Sequence, residues 1–186
     1  LDKDFSKPQA FHEIPVTRSG GIAAIISLTI FFLIYYLLYA DVLYDYIFIS
    51  YSVFIIGFLD DLRINIKPLS RLIIMVLLLF TFIYLLPIKI LNIDIPFLIH
   101  LMSSHVFSSI FVLLCFLFVI NGANLIDGFN GLLTINLIII NIILTYININ
   151  NGNLEFSILI ISQIIILLSF LLFNFPNAKI FLGDSG

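Results

Sequence analysis

Six stretches of predominantly apolar residues, each close to the length that crosses a bilayer as a helix, leave this chain few folds to choose from. They run 20–40, 44–59, 69–86, 106–120, 132–147 and 154–173. The stretches at 44–59, 106–120 and 132–147 are short and need their flanking residues or some bilayer thinning to span. Backbone groups in lipid must be satisfied within the segment, so these spans are helices even though Ile and Phe favour strands in water. Composition agrees: 62% of the residues are hydrophobic and 10% charged. A soluble domain of this size still exposes about a third of its unfolded-chain surface, too much for so apolar a chain. The expected fold is therefore all-α, a polytopic transmembrane bundle of about six spanning helices. No repeat or linker divides it, so residues 1–186 read as a single membrane domain. The chain opens at Leu1 without an apolar leader and stops at Gly186 after a polar run, which gives the expectation of a domain truncated at both ends.

Six crossings sort the polar segments by parity. Residues 1–19, 60–68, 121–131 and 174–186 fall on one side, and 41–43, 87–105 and 148–153 on the other. Lys3, Lys7, Arg18, Arg63, Lys67, Arg71 and Lys179 occupy or border the first set, leaving Lys89 in the second. By the positive-inside rule the first set is cytoplasmic. Tyr35, Tyr36, Tyr39, Tyr44, Tyr46, Tyr84 and Tyr146 lie near helix ends on the opposite side, where an amphipathic ring prefers the interface.

The net charge of −3 and the absence of a basic stripe exclude nucleic acid as a partner. Cys115, the single cysteine, reads as apolar packing. P-loop, zinc-protease and nucleophile-elbow strings do not occur. A transporter would place ionisable groups near the midplane of its spans, whereas the acids here gather at one interface.

Asp60 and Asp61 close the second span. Adjacent carboxylates repel, and a helix C-terminus already carries partial negative charge, so the pair asks for a cation. A divalent metal would serve; so would Arg63 and Lys67 in an ordinary solvated loop. The string NGANLIDGFNG spaces Asn121, Asn124, Asp127 and Asn130 three apart. That spacing gathers oxygen ligands of the kind magnesium takes, alongside substrate phosphates. The alternative is a glycine-rich turn whose Asn side chains cap helix ends. PNAKIFLGDSG places Lys179 and Asp184 on the same side, and GDSG alone is also an ordinary turn. In the opening segment Lys7, His12 and Arg18 precede Gly20 and Gly21, where backbone can closely approach a ligand or a helix. The basic groups suit phosphate; His12 also reads as a surface or packing histidine.

Taken in order, these motifs resemble the polyprenyl-phosphate N-acetylhexosamine-1-phosphate transferases, a family that includes the phospho-MurNAc-pentapeptide transferases. His12, Pro15, Arg18, Gly20 and Gly21 resemble its first loop, Asp60 and Asp61 its Asp-Asp pair, Asn121, Asn124, Asp127, Gly128, Gly131 and Leu132 its third motif, and residues 181–186 its F-x-G-D-S-G loop. The chain departs from the pattern at Thr17, at Asn130 in place of a second aspartate, and at Gln9 and Ala10 in place of a basic pair. The resemblance implies transfer of an N-acetylhexosamine 1-phosphate from a UDP-sugar to a polyprenyl phosphate with release of UMP, an initiating step of envelope polysaccharides such as lipopolysaccharide. The phospho-MurNAc-pentapeptide reaction of peptidoglycan synthesis is the first alternative, and a noncatalytic transporter or scaffold the second. It implies Mg2+, with Mn2+ as a substitute, held by Asp61 and Asp127, and Asp60, Asp61 and Asp127 as the catalytic carboxylates. Lys7, His12, Arg18, Asn121, Asn124, Asn130 and Asp184 would bind substrate. Its implied setting is the cytoplasmic face of a bacterial inner membrane, among membrane lipids, with a homodimer left open.

Overall fold

The computed structural model describes residues 16–62, 68–85 and 95–186. Seven helices occupy them: α1 (Gly20–Tyr39), α2 (Tyr44–Asp61), α3 (Pro68–Leu85), α4 (Pro96–Met102), α5 (His105–Ile126), α6 (Leu132–Asn150) and α7 (Leu154–Asn174). Among the described residues there is no strand; the one extended pairing is an isolated parallel bridge between Thr17 and Ile180. Each expected span coincides with a helix, and the short α4 is an addition. α1, α5, α6 and α7 are long and apolar enough to cross a membrane by themselves. α2 carries Asp45, Asp60 and Asp61 within its 18 residues. At about 27 Å it is at the short end for a bilayer.

The largest departure from the sequence reading is at α5. Residues 121–126 were expected to lie in a loop, yet they continue the helix. Gly122 is tolerated because a helix interior costs glycine only about 1 kcal/mol. Asn121 avoids competing with the helix by turning its Nδ2 back onto the Leu117 carbonyl at 2.7 Å.

The described residues form two compact units, 16–62 with 123–186, and 68–85 with 95–122. The second contains α3, α4 and most of α5, with Leu79 fully buried within the described structure. In the first, α6 and α7 pair along their lengths, α7 also packs on α1, and α1 packs on α2. α6 and α7 are joined by a three-residue turn, which makes them an antiparallel hairpin. Small hydroxyl residues are buried in this unit: Thr134, Ser157 and Ser162. Apolar side chains gain little by leaving lipid for protein, so small residues that let helices approach closely favour association. The Ser157 hydroxyl is satisfied by the Asn153 carbonyl and that of Ser162 by Leu159. At one end of the unit the Tyr46 and Phe156 rings meet at 5.8 Å, joining the starts of α2 and α7. At the other end the polar motifs assemble.

Candidate active site

The segment 181–186 is the piece on which that end is built. α1 begins without a side-chain cap from Ser19. Its first N–H groups are satisfied instead by the loop, Gly20 donating to the Phe181 carbonyl and Gly21 to that of Leu182, both at 2.9 Å. Phe181 N–H returns a bond to the Thr17 carbonyl at 2.8 Å. The close approach expected at Gly20 and Gly21 is therefore made by the chain's own loop. Gly57 on α2 lets the same loop in from another side, since a Cβ there would overlap the Asp184 carbonyl.

Four successive backbone N–H groups of this loop are taken by two carboxylates. Leu182 and Gly183 donate to Asp127 at 3.4 and 3.0 Å, and Asp184 and Ser185 donate to Asp61 at 3.1 and 2.9 Å. Gly183, at φ 76°, lies where the pairing changes from one acid to the other. A Cβ at this position would be strained by the backbone and would meet both Asp61 carboxylate oxygens within 3 Å. Arg18 Nη1 stands 3.8 Å from Asp184 Oδ2. Loop amides thus supply part of the relief that Asp61 needs at the C-terminus of α2, a role the sequence reading gave to a metal or to Arg63 and Lys67, which lie outside the described residues.

Asp127 is buried, at 8% exposure. Burial pushes its pKa above the ordinary carboxylate value, outweighing the Gly183 and Leu182 amides and the Arg18 charge, which pull it down; the Asp61 charge adds to the rise. The raised proton affinity of Asp127, caused first by burial and also by the Asp61 charge, means that its ionised form is incompletely compensated by its surroundings. Each carboxylate oxygen also has lone-pair capacity beyond the single amide it accepts. The donor set is all oxygen, as magnesium prefers. Among the described residues no three His, Cys, Asp or Glu groups come together as a complete metal set. The pair offers carboxylate oxygens that fit part of the oxygen shell such an ion takes.

The structure brings together Arg18, Asp61, Asp127 and Asp184 from four separate segments. Asp60 is half-buried one position earlier on α2, about 100° around the helix from Asp61. Asn124 is half-buried on the last turn of α5. Asn130 donates to the Pro176 carbonyl at 3.0 Å, leaving its Oδ1 buried with no protein partner. Ser185 Oγ is a second buried atom without one. Lys7 and His12 lie outside the described residues. Sequence reasoning passed over Asn174 and Gly57, because an Asn at a helix end and a Gly inside an apolar span carry no signal of their own.

The sequence model of Glycosyl transferase family 4 matches residues 43–186. A phospho-N-acetylmuramoyl-pentapeptide-transferase of Streptococcus thermophilus (strain CNRZ 1066) is 36% identical over 141 residues, covering 71% of this chain and 41% of that protein. The protein of the same name from Clostridium perfringens (strain 13 / Type A) is 36% identical over 95 residues, 51% of this chain and 30% of its own length. Its namesake in Leuconostoc mesenteroides is 46% identical over 66 residues, 36% of this chain and 21% of that one. The chain thus spans less than half the length of the curated relatives it matches. No solved structure matches it significantly.

Proposed function

Because the chain belongs to glycosyl transferase family 4, we propose that it transfers a phospho-sugar from a UDP-linked donor to a polyprenyl phosphate in the membrane, releasing UMP. The observation that carries this reading is the meeting of Asp61, Asp127, Asp184 and Arg18 on one loop at one end of the helices. Where the sequence motifs put an N-acetylhexosamine 1-phosphate donor first, the names of the relatives favour a phospho-MurNAc-pentapeptide donor. Peptidoglycan synthesis accordingly replaces lipopolysaccharide as the favoured setting. The hexosamine branch is kept as the second reading, on the motif resemblance of the first loop.

A lipid phosphate and a soluble nucleotide meet only at a membrane face, which the positive-inside pattern assigns to the cytoplasm. Two anions approach there only if fixed charges offset their repulsion. Arg18 supplies one such charge, and Lys7 and His12 are candidates for others. Magnesium, held by Asp61 and Asp127 and completed by the donor pyrophosphate, would supply the remaining neutralisation and polarise the attacked phosphorus. Asn121, Asn124, Asn130 and Asp184 are the polar candidates for orienting the donor. Asp60 is the candidate to position or deprotonate the acceptor phosphate. Deprotonation contributes little if that phosphate, with a second pKa of about 6, is already ionised at neutral pH.

The test uses the full-length protein in detergent with a polyprenyl phosphate acceptor. Label is followed from UDP-MurNAc-pentapeptide and, separately, from UDP-N-acetylhexosamines into organic-extractable lipid. Transfer from the pentapeptide donor, abolished by chelation and restored by magnesium, is the expected result. Transfer from a hexosamine donor alone would select the second branch, and transfer from neither would end the enzymatic reading. Near-normal turnover in Asp60→Asn would remove the base role.

A further inference from the structure

We infer that Asn174 is a positioning residue for the transfer reaction: its single buried amide sets the register between the turn that carries Asp127 and the loop whose N–H groups Asp127 binds. The inference rests on the transferase reading for its kinetic arm and on geometry alone for its structural arm.

Asn174 is the last residue of α7 and is 2% exposed. Its Oδ1 accepts the Gly131 N–H at 2.6 Å, and its Nδ2 donates to the Ile180 carbonyl at 2.8 Å. Gly131 closes the turn that begins at Asp127, and Ile180 stands just before the Phe181 to Gly186 loop. One side chain therefore bridges the two segments whose mutual position decides whether Asp127 meets the Leu182 and Gly183 amides. Asn130 adds a second strut between the same segments through Pro176.

Only a group that accepts and donates from the same short side chain fits both partners. An ionised carboxylate accepts at both oxygens and would set one of them against the Ile180 carbonyl. A protonated carboxyl offers one acceptor and one donor, as the amide does. Leucine offers neither, and its shape would leave a buried N–H and a buried carbonyl unpaired. A substitution by Asp consequently makes the bridge depend on pH, which a bare packing role would not. The charged groups on the segments that converge here are Asp127 from the α5–α6 turn, Lys179 and Asp184 from the segment after α7, Arg18 before α1, and Asp60 and Asp61 at the end of α2. All are present in the unsubstituted protein too, so the ratio of variant to parent activity isolates the change at Asn174.

The experiment compares full-length parent, Asn174→Asp and Asn174→Leu in detergent. Donor kinetics are measured from about pH 5.5 to about pH 8, with amide exchange at residues 180–185 followed without substrate. For Asn174→Asp, kcat relative to the parent is near unity at the acid end and falls about tenfold toward the alkaline end, with donor KM little changed. Asn174→Leu is low by about the same factor at every pH, and exchange at 182–185 quickens roughly tenfold. A pH-independent ratio for Asn174→Asp, or unchanged exchange at 182–185 in both variants at alkaline pH, would overturn the proposal. Should the parent transfer from no donor, the transferase reading fails while the exchange measurement still decides the bridge. Should Asn174→Leu fail to fold, the acid and alkaline behaviour of Asn174→Asp decides it.

Discussion

Of the three described glycines in the left-handed region, Gly152 and Gly183 sit in loops that have little else in common. Gly152, at φ 77°, turns the chain between α6 and α7. Its loop is held by local backbone bonds, Gly152 N–H to the Ile149 carbonyl and Asn153 N–H to that of Asn148, and a Cβ there would meet nothing within 4 Å. Gly183, at φ 76°, has the same backbone requirement. Its loop, however, is gripped by α1, α2 and the α5–α6 turn through bonds that join residues far apart in sequence, and α7 adds a shorter tie from Asn174 to Ile180 just before it. A hairpin turn has only to reverse the chain at the membrane surface. The 181–186 loop has to present four N–H groups to two acids while helix ends close around it.

The sharpest way to break this contrast is to add the same methyl group at both places. Gly183→Ala drives a Cβ against the Asp61 carboxylate, so the loop must shift, and displacement of the order of 1 Å in a reaction site costs about a hundredfold in rate. Magnesium-dependent lipid labelling by the full-length variant should fall by at least about that factor.

A smaller effect is expected from pH, and it appears only at the crowded end. The pKa of Asp127 is higher in the folded protein than in the unfolded chain, so the native state holds that proton more tightly. As pH rises from the ordinary carboxylate range through this raised pKa, Asp127 contributes a growing destabilisation to the metal-free protein. Below the ordinary range the penalty is absent. On the proposed magnesium-dependent reading, cation binding would run the other way, since the ion would compete with the proton. Magnesium affinity should therefore weaken on acidification at a higher pH than an exposed carboxylate would give, with proton release on binding, both readable by calorimetry in buffers of different ionisation enthalpy. Absence of proton release across that window would separate Asp127 from the ion.

The smallest effect belongs to Gly152→Ala. It should lower thermal stability by only the backbone penalty, about 1–2 kcal/mol, and leave transfer within about twofold of the parent. A loss comparable to that at Gly183 would mean that the hairpin turn also governs the site.

Much of the scaffold is legible in the residues alone. Lipid fixes both the length and the polarity of a span, so 20–40, 132–147 and 154–173 announce helices whatever their partners, and alternation then puts the ends near Arg18, Asp61, Asp127 and Asp184 on one side. The bonds among those helix ends agree with that alternation. The NGANLI string was less legible. Its Asn and Gly residues favour turns in water, but a helix already running through an apolar segment extends through residues 121–126 at small cost and gains a backbone bond with each residue.

What the sequence determined unaided is an all-helical membrane chain with most of its acids and cations gathered at one interface, because a bilayer rejects charge and unpaired backbone wherever they fall. Only the tertiary structure decided what those acids touch. Asp61 and Asp127 accept the amides of a loop that follows them by more than fifty residues, and Asn174 bridges two segments that no local pattern pairs. Such bonds depend on where helix ends arrive after packing, which is a property of the assembled helices rather than of any one of them.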